Sequence, residues 1–178
     1  EWHIWDFTRS ESDHRWVSDN FGPVRFMHAD AHYQSIGDLS VQPLLRLDAK
    51  IEHDLHIAFK PQEGASHFYE LVVGGWRNSA CALRRLPIDQ FKTIDRDPAD
   101  IIWHGIFPGI LSPGTHNQII LSKDQTGALT CSVNGIELGS FNLPELLNGA
   151  QVSIKGGWGA SLEIQQPFAQ VQRFIGSP

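Results

Sequence analysis

The sequence predicts an all-β fold, a two-layer antiparallel β-sandwich of jelly-roll or lectin-like kind with an N-terminal extension. Three observations predict it. Apolar and β-branched runs recur roughly every 8–15 residues, punctuated by Gly, Pro, Asn and Asp. Asn134-Gly135 separates two such runs, and that pair accepts positive φ at both centres of a tight hairpin turn. Helical periodicity is missing except at Pro144-Glu145-Leu146-Leu147, where a proline can open a single turn. Meanders of this kind bury one face of each sheet against a second sheet.

In chain order, residues 1–43 form an N-terminal segment that wraps the sandwich, rich in Trp and His, with a loop at Asn20-Phe21-Gly22-Pro23. Strands inside it are expected at His3–Phe7 and Arg25–Ala29. The sandwich then takes strands at Leu44–Ala49, Leu55–Phe59, Phe68–Val73, Ala80–Leu86 and Ile101–His104. It continues with Thr115–Ser122, Leu129–Val133, Ile136–Phe141, Ala150–Lys155 and Ser161–Gln166. Asp124-Gln125-Thr126-Gly127 closes a longer hairpin. Residues 167–178 read as a tail, and the whole as one domain.

Composition narrows the function. The chain has 178 residues, 41% hydrophobic and 19% charged, with a formal net charge of -6. That length buries a sizeable core without metal or disulfide staples. The acidic balance argues against a nucleic-acid partner, since nothing would release counterions from phosphate. No apolar run approaches the roughly 18 residues that span a bilayer. A start at Glu1-Trp2 without Met reads as the end left by a removed signal peptide, with a trimmed sequence as the rival reading; the first predicts the secretory pathway or secretion. Cys81 and Cys131 permit one disulfide and equally suit two buried thiols.

Two stretches stand out, "ELVVGGWRNSACALRR" and "SIKGGWGASLEI". Each ends an apolar run with Gly-Gly-Trp, at Gly74-Gly75-Trp76 and Gly156-Gly157-Trp158. A Gly pair at a strand end lets the backbone turn and lets a neighbour come close. The indole then either plugs a corner of the sandwich or walls a ligand pocket. The stretch from Tyr69 and Glu70 through Val72, Val73, Gly74, Gly75, Trp76 and Asn78 to Arg84 resembles the farnesoic acid O-methyltransferase domain. Gly157-Trp158-Gly159 is similar to its second signature, and "DLHIAF" to its strand carrying a His, here His56. The resemblance covers residues 44–166. It implies a small β-sandwich used as a binding scaffold in animals and fungi. The name does not carry an activity. Methyl transfer from S-adenosylmethionine usually needs a Gly-rich loop opening a helix in an α/β sheet, and no Gly-x-Gly-x-x-Gly is present.

Site candidates follow from residue chemistry. Glu70 is a carboxylate within a strand pattern, alternating with Phe68 and Val72, while Tyr69, Leu71 and Val73 face the other way. It needs an ion-pair partner, Arg77 or Arg84. Six Trp, ten Phe and nine His favour aromatic walls with a few polar groups. The candidate walls are Trp76, Trp158 and Trp103, with Asn78, Glu70 and Tyr69 as further substrate contacts. The catalytic candidates are His56, His104 and Arg77. No metal is expected: His53 and His56 would diverge on a strand, and Asp95, Asp97 and Asp100 suit a solvated turn as well as a calcium loop. No cofactor is expected, and no Gly-x-Ser-x-Gly elbow is present.

Two functions from different classes fit. The first is a cofactor-independent enzyme of secondary metabolism acting on an apolar polyketide or terpenoid. A stand-alone domain with a Trp/His-rich N-terminal segment resembles the fungal hetero-Diels–Alderases of tropolone–sesquiterpene pathways. That resemblance implies a pericyclase that holds diene and dienophile together. The second is a non-enzymatic, lectin-like carbohydrate-binding module stacking a sugar on Trp76. A homodimer is left open, and a purely structural domain is the third reading.

Overall fold

The computed structural model describes residues 16–17, 24–26, 33–40, 44–62, 64–92, 101–157 and 162–165. Thirteen strands lie among them: β1 (Trp16–Val17), β2 (Val24–Phe26), β3 (Gln34–Asp38), β4 (Leu44–Ile51), β5 (Leu55–Lys60), β6 (His67–Gly74), β7 (Ala80–Pro87), β8 (Ile101–Ile106), β9 (His116–Lys123), β10 (Ala128–Val133), β11 (Ile136–Asn142), β12 (Gln151–Gly156) and β13 (Leu162–Gln165). They form two antiparallel sheets, one ordered β1-β2-β13-β4-β9-β10-β11 and the other β3-β12-β5-β6-β7-β8. This is the two-layer sandwich that the sequence predicts. No helix of the described residues is long and apolar enough to cross a membrane.

All ten strands expected from residue 44 onward are present. The N-terminal segment does more than wrap. It supplies β1 and β2 at the edge of the seven-stranded sheet and β3 at the edge of the six-stranded one. β2 overlaps the expected Arg25–Ala29 strand, whereas His3–Phe7 lies outside the described residues. β3, "QSIGD", carries one apolar side chain and escapes a period-2 reading, yet it pairs with β12.

The core lies between the sheets. Leu45, Leu47, Ala49, Ile119, Leu121, Leu129 and Val133 face Ile57, Phe59, Leu71, Leu83, Val152 and Ile154, all essentially removed from water. Cys81 and Cys131 belong to this core as free thiols, and burial raises the pKa of each. Asn134 and Gly135 take φ of 52° and 80°, as the tight hairpin between β10 and β11 requires.

One sheet departs from simple alternation. β6 is buried at every position from Phe68 to Gly74, so both of its faces are covered. On the outer face, Tyr33, Ala58, Phe68 and Leu86 form a second apolar cluster, with Ile88 and Phe91 packed against it. Tyr33 stacks on Phe91 with ring centroids 5.0 Å apart.

Candidate functional site

The register of the six-stranded sheet sets the site. Lys155, His56, Val72, Ala82 and His104 are successive cross-strand partners on β12, β5, β6, β7 and β8. Partners in a ladder share a face, so His56 and His104 look the same way, three strand spacings of about 4.8 Å apart. The next row holds Ser153, Ala58, Glu70 and Arg84. Both rows lie on the outer face, away from the main core.

A charged network occupies this face. Glu70 is fully buried and bonded to Arg84, whose Nε donates to Oε1 at 3.1 Å and whose Nη2 reaches the same oxygen. Arg84, rather than Arg77, is therefore the partner. His56 Nε2 lies 2.6 Å from Asp54 Oδ2, and His56 Nδ1 lies 3.5 Å from Glu70 Oε2. Lys155 is buried beside them, its ammonium 4.8 Å from the centre of the Tyr33 ring. The side chains of His56 and Arg84 are 15% and 12% exposed, against 3% and 0% for Asp54 and Glu70. Solvent thus meets the network at His56 and Arg84.

Protonation follows from geometry. A carboxylate only accepts, so neutral His56 carries its proton on Nε2, and that N–H donates a hydrogen bond to Asp54 Oδ2. Nδ1 then carries a lone pair; it is buried, faces Glu70 Oε2 and has no hydrogen-bond partner among the described residues. Burial lowers the pKa of His56 from its ordinary 6.5; Asp54 works against that, and Lys155 and Arg84 reinforce it. The result is an imidazole that stays neutral more readily than a free one, with a fixed orientation.

The two Gly-Gly-Trp corners have separate causes. At the second, Gly157 N–H donates to Asp54 O at 2.9 Å. A Cβ on Gly157 would stand 2.0 Å from Asp54 Oδ1, so only glycine lets this carboxylate sit where it holds His56. Trp158 itself lies outside the described residues. At the first, Gly74 takes φ 72°, and Trp76, Arg77 and Asn78 follow at 51°, 61° and 58°. Three consecutive non-glycine residues in left-handed backbone are strained, at about 1–2 kcal/mol each. Asn78 anchors the turn: its Nδ2 donates to Leu111 O at 2.7 Å, and its Oδ1 accepts from Leu111 N at 3.1 Å. Trp76, 47% exposed, and Arg77 project into solvent.

The remaining sequence candidates are dispersed. Tyr69 faces the core, and its hydroxyl donates to Glu145 Oε1 at 3.2 Å. Trp103 packs against Phe141 at 4.9 Å between ring centroids, on the core side of β8. The Asp95, Asp97 and Asp100 loop lies outside the described residues, and no cluster able to hold a metal exists among the described ones. Sequence reading missed Asp54 and Lys155. The signal for Asp54 was its spacing of two from His56. For Lys155 it was a charge alternating with Val152 and Ile154.

Compared with known proteins, the family model described as Farnesoic acid O-methyl transferase matches residues 26–164. The chain belongs to this family. The match begins upstream of residue 44, so β3 belongs to the family domain as well, and of β2 only Phe26 falls within the match. A search of curated proteins finds no match. Among solved structures, the carbohydrate-binding module CBM66 from Bacillus subtilis aligns at a TM-score of 0.48 and 8% identity, over 86% of this chain and 89% of its own. Galectin LEC-6 of Caenorhabditis elegans aligns at 0.47 and 10%, over 87% and 95%. A Bacteroides ovatus GH16 protein aligns at 0.46 and 11%, over 86% and 84%.

Proposed function

We propose that this family member is a cofactor-independent enzyme that moves a proton on a small organic substrate with His56. The observation behind this reading is the Asp54–His56 pair, with Nε2 held at 2.6 Å and Nδ1 left as acceptor. A general base needs a fixed orientation, and the bond to Asp54 gives this imidazole one. Arg84, at the solvent edge of the network, is placed to stabilise a developing oxyanion.

The substrate class is a polyketide or terpenoid carrying an acidic enolic or phenolic hydroxyl beside a benzylic-type alcohol. Nδ1 is buried beside Glu70 Oε2 in the free protein, so substrate binding has to part that contact before His56 Nδ1 takes the acidic proton. The resulting imidazolium returns that proton to the departing hydroxyl, which leaves as water. The product is an electron-poor heterodiene, and His56 is neutral again. Cycloaddition to an alkene held nearby then needs only a pose, and such positioning supplies several kcal/mol. The pericyclase is thus our reading of this site.

An ortho-hydroxybenzyl alcohol offered with an electron-rich alkene tests it. We expect faster formation of an enantioenriched cycloadduct, lost in His56→Gln and reduced in Asp54→Asn, with both variants folded. A rate equal to that in buffer, or a fully active His56→Gln, would overturn the reading. A second reading rests on the exposed indole of the strained turn. Trp76 and Arg77 suit stacking and hydrogen bonding of a sugar. Tryptophan fluorescence quenching by simple sugars, lost in Trp76→Ala, with terpenoids silent, would favour it.

A further inference from the structure

At the end of the same sheet away from His56 is a cavity, about 600 Å³ in volume. Ligand pockets for small molecules run from roughly 300 to 1,000 Å³. Its base is one cross-strand row. Asp38 on β3 pairs with Gln151 on β12, which pairs with Lys60 on β5. Alternation puts Gln151 and Lys60 on the His56 face, four residues, or about 13 Å, along β5 from His56. Gln62 and Ile88 add a second amide and an apolar wall, and Gly64 keeps the rim low.

The polar groups are fixed yet keep bonding capacity. Asp38 Oδ1 accepts from Ser40 N at 2.8 Å and Ser40 Oγ at 2.6 Å, which leaves Oδ2. Gln151 Nε2 donates to Ser35 Oγ at 3.3 Å, which leaves its carbonyl. Gln62 Nε2 donates to Asn148 O at 3.0 Å. The Lys60 ammonium stands 5.0 Å over the Phe91 ring. Neighbouring strands thus present a pure acceptor, an amide and a pure donor, about 4.8 Å apart.

We propose that this cavity binds a neutral, hydroxyl-rich ligand of one or two sugar-sized rings. Each hydroxyl both donates and accepts, so hydroxyls spread over a ring satisfy a carboxylate and an ammonium two strands apart, with the Gln151 amide between them. The charges of Asp38 and Lys60 cancel. An anion pairing with Lys60 meets Asp38, and a cation pairing with Asp38 meets Lys60. Ile88 offers the apolar contact that a ring face needs. This site is independent of His56 and of Trp76.

A ¹H–¹⁵N NMR titration with glucose, galactose, cellobiose and lactose, and separately with inorganic phosphate, decides it. We expect at least one neutral sugar to shift the amides of Lys60, Gly64 and Gln151. Binding should weaken by about tenfold or more in Lys60→Met and in Gln151→Leu. It should persist in His56→Gln and Trp76→Ala. Gln151 is exposed, so its variant carries the test if Lys60→Met does not fold. Silence from all four sugars would overturn the proposal. So would a response to phosphate alone, or shifts confined to the Trp76 turn.

Discussion

Glu70 shows what a single residue decides here. It is a fully buried carboxylate whose position rests on Arg84, its cross-strand partner. Removing one member of a buried pair strands the other charge. Glu70→Ala should therefore cost roughly 3–5 kcal/mol in urea denaturation. The double replacement Glu70→Leu with Arg84→Met should cost much less, because no charge is stranded. His56 adds a pH dependence. Its folded pKa lies below the 6.5 of the free imidazole, so the unfolded chain binds the proton more readily. Its contribution is complete above 6.5 and falls as the pH drops from there through the folded pKa. Thermal melts between neutral and mildly acidic pH should show this loss, and His56→Gln should flatten it.

At the scale of elements, two connections matter. The turn after β6 holds Trp76, Arg77 and Asn78 in left-handed backbone. Strain of this sort persists where surrounding structure over-determines it, and it gathers at functional sites. Arg77 is exposed. Arg77→Gly should raise stability by about 1 kcal/mol, as the unfolding midpoint in urea will show. A loss of stability would mean that the arginine side chain holds the turn. The connection from β8 to β9 is held by three asparagines. Asn78 clasps Leu111, Asn134 Nδ2 donates to Ile110 O at 2.9 Å, and Asn117 Oδ1 accepts from Ser112 N at 2.7 Å. Asn117 is fully buried, and its Nδ2 also donates to Ala49 O at 3.1 Å. Asn117→Ala should destabilise by roughly 1–3 kcal/mol for each buried group left unpaired. Amide hydrogen exchange should then rise first in residues 110–115.

For the molecule as a whole, the sandwich is closed by packing rather than by covalent links. Cys81 on β7 and Cys131 on β10 bring thiols from the two sheets into one core, fully buried and unbonded. A reducing agent should leave the melting temperature unchanged. A thiol-reactive reagent should label both residues only as fast as the chain unfolds, so rapid labelling under native conditions would mean that the core opens locally. The outer face of the six-stranded sheet carries both proposed sites, the His56 network at one end and the Lys60 cavity at the other.

The sequence alone determined the fold class and the strands from residue 44 onward, since these rest on local pattern and turn chemistry. Asn134-Gly135 also announced its hairpin, whereas the cover on both faces of β6 appeared only in the structure. Glu70 could be named because a carboxylate in an apolar strand needs a partner, and His56 because its strand resembles the one that carries a His in the family. The partnership between them could not. Asp54, His56, Glu70, Arg84 and Lys155 come from four separate stretches of chain, and only strand order and register set them side by side. The same holds for Asp38, Gln151 and Lys60, and for Gly157, whose role depends on a carboxylate a hundred residues upstream. Trp103 and Tyr69 went to the core for the converse reason. Period 2 fixes which residues share a face, and only the packing of the second sheet decides which face is covered.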